Sequence, residues 1–189
     1  MGGDDVVTGN GNTRISFQSA TAAVTVHLAA GTVVGDQSVG TDTITGGVSR
    51  VRGSGFDDDI TGSSGGDVLE GRAGNDVLRG ESGLDILQGG DGDDTLIGGL
   101  NNDTLIGEAG DDIFVYADGF GPELIFGFVA GAGTEDRIDL TGVAGVNDFS
   151  DLVITQDGAD AVIHFSPTGA ITLKNLNKAG SPRRRLHLR

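Results

Sequence analysis

The chain has no cysteine and no tryptophan, and only three prolines among its 189 residues. Without cysteine there are no disulfides and no thiolate chemistry. With so little proline, its 35 glycines cannot belong to a collagen or a proline-rich linker. Aromatic residues make up 5% and hydrophobic residues 37%, so a conventional two-layer core would be thin. Basic residues are scarce as well. Twelve Lys and Arg stand against 28 Asp and Glu, a net charge of -16. That balance argues against nucleic acid as a partner, because phosphate binding needs a basic surface. No apolar run approaches the length of a transmembrane segment. The start, Met1-Gly-Gly-Asp-Asp5, lacks the basic and apolar regions of a Sec signal.

Familiar catalytic and ligand motifs are missing too. His27, His164 and His187 are scattered, and no H-E-x-x-H or Ser/His/Asp set is legible. No catalytic residue is therefore assigned. Asp91-Gly92-Asp93-Asp94 begins like an EF-hand loop, but Leu96 stands where that loop needs glycine and Asn102 where it needs glutamate. The many G-x-G triplets lack the strand–turn–helix context of a dinucleotide site.

What is present is a period. Asp58, Asp67, Asp76, Asp85, Asp94, Asp103 and Asp112 are nine residues apart. Two residues after each comes a large apolar side chain: Ile60, Leu69, Leu78, Leu87, Leu96, Leu105 and Phe114. Five residues before each comes a glycine, from Gly53 to Gly107. Three columns in register through seven units mean that one short unit is stacked on itself. A nine-residue unit is too small to bury its own apolar residue, so only stacking can build a core. Each unit reads as a six-residue turn followed by a three-residue strand.

This organises the chain into four segments. Residues 1–52 read as an irregular β segment with partial repeats. Gly3-Asp4-Asp5-Val6-Val7 and Asp42-Thr43-Ile44 echo the repeat, and Arg14–Phe17 and Ala23–Leu28 alternate like strands. Residues 53–115 are the array of seven nonapeptides. Residues 116–177 read as a C-terminal capping β segment, with strands at 123–128, 137–140, 152–156, 161–165 and 170–173 and a hairpin turn at Asp157-Gly158. Residues 178–189 hold four arginines and read as a disordered basic tail.

If two units make one coil, units n and n+2 stack about 4.8 Å apart. Asp58, Asp76, Asp94 and Asp112 then form one column, and Asp67, Asp85 and Asp103 the other. Carboxylates at that spacing repel unless a cation lies between them. A hard, oxygen-seeking ion such as calcium fits glycine-rich turns that can point carbonyls inward. Zinc would call for Cys or His.

The units follow G-G-x-G-x-D-x-U-x, with U a large apolar residue. The array thereby resembles the RTX (hemolysin-type) calcium-binding nonapeptide-repeat family, in the C-terminal region of such proteins. The resemblance implies an all-β fold, a right-handed parallel β-roll (β-solenoid), holding about five Ca2+ ions. It also implies their ligands: carbonyls from turn positions 2 and 4 with the Asp of one unit, and carbonyls from positions 1 and 3 with the Asp of the unit two later. The first site would use Ser54, Phe56 and Asp58 with Gly71, Ala73 and Asp76. The second would use Ser63, Gly65 and Asp67 with Gly80, Ser82 and Asp85. In the third, Arg72, Gly74 and Asp76 meet Gly89, Asp91 and Asp94. In the fourth, Glu81, Gly83 and Asp85 meet Gly98, Leu100 and Asp103. In the fifth, Gly90, Gly92 and Asp94 meet Gly107, Ala109 and Asp112. Phe56 and Asn101 replace the position-4 glycine. Asn accepts positive φ and Phe does not, so the first site departs most from the pattern.

The expected function is a calcium-binding module that folds on meeting extracellular calcium, exported unfolded by type I secretion machinery. Two other classes share these features. One is an accessory module of a polysaccharide-modifying enzyme, similar to alginate epimerase R-modules, with an anionic polysaccharide as partner. The other is part of a surface adhesin.

Overall fold

A computed structural model describes residues 3–117, 119–129, 135–165 and 169–175. The basic tail at 178–189 lies outside the described residues. Among the described residues the regular elements are all strands except for one 3-10 turn, Phe149–Asp151. Before the array come β1 (Val6–Val7), β2 (Thr13–Ser16), β3 (Thr25–His27), β4 (Thr32–Val34), β5 (Thr41–Ile44) and β6 (Val48–Arg52). The array supplies β7 (Asp59–Thr61), β8 (Val68–Ala73), β9 (Val77–Ser82), β10 (Ile86–Asp91), β11 (Thr95–Leu100), β12 (Thr104–Ala109) and β13 (Ile113–Ala117). After it come β14 (Glu123–Phe126), β15 (Arg137–Gly142), β16 (Val153–Asp157), β17 (Asp160–His164) and β18 (Ala170–Leu173).

Successive array strands alternate between two nine-stranded sheets. One runs β1-β5-β4-β3-β7-β9-β11-β13-β15 and the other β16-β17-β18-β14-β12-β10-β8-β6-β2. This is a parallel β-roll. Within the array every pairing is parallel and joins residues 18 apart, as in Leu78↔Leu96 and Leu69↔Leu87. Most array strands are six residues long rather than three, because the ladder runs on into the first turn positions, pairing Gly90 with Arg72 and Asp91 with Ala73.

The register sets the core. Ile60, Leu78, Leu96 and Phe114 stack in one sheet, and Leu69, Leu87 and Leu105 in the other, all at 0 or 1% exposure. Each buried aliphatic side chain contributes roughly 1.5–3 kcal/mol. That compensates for a chain with few large side chains to bury.

The stacking does not end with the period. Val26 precedes Ile60 in its ladder and Ile138 follows Phe114, while Ile125 and Leu173 extend the other ladder. β14 and β15 are therefore further parallel layers of the roll. Beyond them β16, β17 and β18 add antiparallel pairs, turning at Asp157-Gly158 with Gly158 at φ 59°. At the other end β1 lies parallel to β5, so the two repeat-like phrases at Asp5–Val7 and Asp42–Ile44 sit side by side.

Leu87 has a leucine above and below it in its ladder. Leu87→Ala at saturating calcium is expected to lower stability by about 2–5 kcal/mol, read by denaturant unfolding. A loss below about 1 kcal/mol would mean that the ladder is not the core.

Candidate metal centre

The turns fall on two edges of the roll. Turns 53–58, 71–76, 89–94 and 107–112 lie on the first, and 62–67, 80–85 and 98–103 on the second. In each turn the aspartate is at most 2% exposed. One oxygen of each carboxylate from Asp76 to Asp112 is fixed by the neighbouring layer. The Asp58 amide donates to Asp76 Oδ1 at 2.7 Å, that of Asp76 to Asp94 at 2.8 Å, and that of Asp94 to Asp112 at 3.0 Å. On the second edge the Asp67 amide donates to Asp85 Oδ1 and the Asp85 amide to Asp103 Oδ1. The other oxygen is left over. Oδ2 of Asp76, Asp85, Asp94, Asp103 and Asp112, and Oδ1 of Asp67, are buried without a hydrogen-bond partner. Orphaned buried acceptors are rare in folded proteins, and six in regular array call for a counter-ion.

The position-1 glycines show where these oxygens point. A Cβ on Gly71 would overlap Asp76 Oδ2 and lie 2.8 Å from the Gly89 carbonyl oxygen. A Cβ on Gly80 would likewise strike Asp85 Oδ2 and the Gly98 carbonyl at 2.5 Å. Glycine is required because the carboxylate of its own unit and the carbonyl of the unit two later converge on its open face. Among the described residues no three His, Asp or Glu side chains converge on a metal-sized site. A cation here must therefore take backbone oxygens as well, which suits calcium and not zinc.

Burial raises the carboxyls far above the usual aspartate range. Asp76, Asp85 and Asp94 are pushed up to about 7, chiefly by desolvation, against the lowering hydrogen bond from the neighbouring amide and with added repulsion from adjacent aspartates. Asp103 and Asp112 rise to about 6, again mainly through burial. Asp67 rises for the same reason. Such groups call for either a proton or a metal cation.

The residues fit calcium, but the seven turns are not equivalent. From turn 71–76 onward, positions 2 and 4 both have left-handed backbone: Arg72 and Gly74, Glu81 and Gly83, Gly90 and Gly92, Gly99 and Asn101, Glu108 and Gly110. Asn101 takes φ 82°, as its amide side chain allows. Arg72, Glu81 and Glu108 do so at roughly 1–2 kcal/mol each. Strain of this kind persists where the surrounding structure imposes it. Ser54, Phe56, Ser63 and Gly65 are not left-handed. In those first two turns serine closes the loop instead. Ser54 donates its amide to Asp58 Oδ2 at 2.5 Å and its hydroxyl to Oδ1 at 2.7 Å, and the Val24 amide adds 2.7 Å to Oδ1. Asp58 is thus satisfied by the protein itself, and Arg72 Nη1 donates to the Ser54 carbonyl at 2.9 Å. Ser63 donates to Asp67 Oδ2 in the same way, leaving Oδ1 free.

Residues 52–87 and 88–120 each match the family model described as RTX calcium-binding nonapeptide repeat (4 copies). The array consists of RTX repeats. No curated protein matches the chain. Among solved structures it is similar to the extracellular lipase LipA from Serratia marcescens, at 18% identity and a TM-score of 0.38, covering 70% of this chain and 38% of the lipase. It is also similar to the AlgE6R3 subunit of the Azotobacter vinelandii mannuronan C5-epimerase, at 22% identity and a TM-score of 0.29, covering 70% of this chain and 85% of that subunit. The chain thus spans well under half the length of the lipase.

Beyond the RTX period, two acids continue the columns. The Asp112 amide donates to Asp136 Oδ1 at 3.1 Å, and Val129 donates to Oδ2 at 2.6 Å. Glu123 is 2% exposed and opens β14, directly after Asp103 in its column. The nine-residue count misses both. Their local signal, an acid two residues before an aliphatic, is present in Glu123-Leu124-Ile125 and Asp136-Arg137-Ile138. A third column lies outside each turn on the first edge. Asp57, Asn75, Asp93 and Asp111 accept in turn from the amides of Asn75, Asp93, Asp111 and Glu135 at 2.7–2.9 Å. Gly66 and Leu84 offer no such acceptor on the second edge, and Leu84 is 69% exposed.

The raised carboxyls set a pH dependence. In metal-free buffer the folded roll keeps protons on Asp76, Asp85 and Asp94 up to about 7, whereas the unfolded chain loses them near 3.8. The folded state then binds more protons between those values, so its stability falls as pH rises from about 4 to 7. Metal-free β content is expected to be higher at pH 5 than at pH 8, measured by circular dichroism. Equal or rising stability across that window would contradict the buried columns.

Proposed function

We propose that this chain is a calcium-driven folding module: a β-roll that assembles on binding extracellular calcium, within a protein exported by a type I secretion system. The observation that carries the reading is the run of buried, unpartnered carboxylate oxygens repeated layer after layer. A bound calcium ion supplies the positive charge and the oxygen coordination that these groups lack. In one such site Asp76 and Asp94 would act with the carbonyls of Arg72, Gly74, Gly89 and Asp91, and in another Asp85 and Asp103 with those of Glu81, Gly83, Gly98 and Leu100. Asp94 and Asp112, with Gly90, Gly92, Gly107 and Ala109, make a third. Asp67 and Asp85, with Ser63, Gly65, Gly80 and Ser82, make a fourth whose first turn is partly closed by serine. The pair Asp58 and Asp76, with Ser54, Phe56, Gly71 and Ala73, is the weakest of the five, because both oxygens of Asp58 already accept from protein donors.

Folding and binding then form one equilibrium. Without a counter-charge the layers repel, and the short strands between turns bury too little apolar surface to hold them. Carbonyl-rich sites of this kind have affinities of roughly micromolar to millimolar. They stay empty in cytosol and fill outside the cell, which suits a chain that leaves the cell unfolded. Among the described residues no helix is long and apolar enough to cross a membrane.

Asp76 and Asp94 each serve two adjoining layers. Asp76→Asn with Asp94→Asn is expected to weaken three sites together and raise the calcium midpoint of folding by roughly tenfold or more, measured by calorimetry and circular dichroism. An unchanged calcium affinity would refute the ligand assignment.

A further inference from the structure

The turn that ends at Glu123 carries no nonapeptide, yet it stacks like one. Its strand β14 pairs parallel with β12, joining Leu124 to Thr104 and Ile125 to Leu105, the register of every earlier layer on that sheet. The Asp103 carbonyl accepts from the Leu124 amide at 2.9 Å, just as the Asp85 carbonyl accepts from Thr104. A Cβ on Gly121 would overlap the Asn101 carbonyl, and this contact repeats the way Gly92 rests on Gly74 and Gly110 on Gly92. Gly121 therefore fills the fourth turn position and Glu123 the sixth, where the other layers hold aspartate.

Glu123 is 2% exposed, and among the described residues neither of its carboxylate oxygens has a hydrogen-bond partner. Oδ2 of Asp103 is orphaned as well. Both face one place: a Cβ on Gly98 would lie 2.6 Å from Asp103 Oδ2 and 3.0 Å from Glu123 Oε2. The layer beneath has the left-handed pair at Gly99 and Asn101 that marks the fully formed turns. The protein thus buries two carboxylates against each other, and among the described residues no basic group is hydrogen-bonded or ion-paired to either.

We propose that Asp103 and Glu123 hold a further calcium ion, the last on its edge, which ties the strands after the array to the roll. The proposal rests on the calcium reading of the array and extends it to a residue outside the repeats. Its consequence is that β14, and with it β18 and the β17–β16 hairpin, dock fully only when this site is loaded, because among the described strands of that sheet they join the roll through β14. Burial raises the Glu123 carboxyl to about 9, first by desolvation and then through the charge of Asp103, against a lowering pull from the nearby Asp103 amide and with a smaller push from Asp85. The bland alternative is a Glu123 that stays protonated in the fold and binds nothing.

Tyr116 reports on this turn. It is the chain's one tyrosine, there is no tryptophan, and its hydroxyl donates to the Phe120 carbonyl at 2.9 Å. The test compares wild type, Glu123→Gln and Glu123→Asp, counting bound calcium by calorimetry and following tyrosine fluorescence and far-UV circular dichroism through one calcium titration. Gln mimics a protonated glutamic acid but ligates poorly. The expected result is one ion fewer in the Gln variant and a Tyr116 midpoint at roughly tenfold higher calcium or lost, with the dichroism transition of the array retained. The Asp variant should keep the full count. An unchanged ion count and Tyr116 midpoint in the Gln variant would overturn the proposal and leave a protonated glutamic acid. If the Gln variant does not fold, the Asp variant decides: the full count supports the site, and a lost ion or no folding overturns it, since the site asks only for a carboxylate at this layer. Wild type without any calcium-dependent dichroism would instead sink the reading of the array itself.

Discussion

Like charges buried in line are the constraint on which everything else in this protein depends. Each layer puts a carboxylate directly over another, almost fully out of water, and from Asp76 to Asp112 one oxygen is held by the amide next door and the other left without a donor. Desolvation and mutual repulsion both disfavour the ionised form, and no arrangement of the apolar ladders removes that cost. The columns therefore call for protons or for positive charge placed between the layers, and the calcium proposed above supplies the latter. The glycine columns follow from the same demand. Position 1 must lack a side chain because the carboxylate and a carbonyl occupy its place, and position 4 because the turns rest on one another there. The leucine ladders supply registration and cohesion, and the turns decide whether the ladders can form.

Much of this was legible in the sequence because the repeat is a direct image of the geometry. A residue count of nine places every aspartate on alternate edges, and a count of 18 gives the pairing of Leu69 with Leu87 or Leu78 with Leu96. The phrases at Asp5–Val7 and Asp42–Ile44 were recognisable as repeat-like, and they pair. Where the count is interrupted, the reading stops short. Glu123 follows Asp103 by 20 residues instead of 18, and Asp136 follows Asp112 by 24, since the intervening turns are longer. Turn insertions leave strand register intact but erase the period, so two continuing layers read as a separate cap.

Backbone state was the other hidden layer. Phe56 stood out as a residue unsuited to left-handed φ, but nothing in Ser63-Ser64-Gly65 announced that the second turn would also avoid it. The reason lies in position 2, where Ser54 and Ser63 each donate both amide and hydroxyl to their own aspartate. A hydroxyl at that position does part of a cation's work. Arg72, reaching back to the Ser54 carbonyl, does more of it. The layers thus differ: Asp58 at one end and Asp136 at the other have both carboxylate oxygens satisfied by protein donors, whereas Asp76 to Asp112 between them each leave one oxygen unpartnered and Glu123 leaves both. The alternation of Asx ladder on one edge and Gly66 and Leu84 on the other adds a second asymmetry, across the roll instead of along it.

The most direct test of the central claim is far-UV circular dichroism of the whole chain at pH 8 during a calcium titration, with magnesium in parallel. Magnesium demands a tighter octahedral shell and sheds its water reluctantly, so carbonyl-lined turns should discriminate against it. The account predicts a coil-like spectrum without metal, a cooperative change to β structure with calcium, and none with magnesium at the same concentrations. A β spectrum already complete in metal-free buffer at that pH, unchanged by calcium, would contradict it, because the buried carboxylate columns would then be stable with no cation at all.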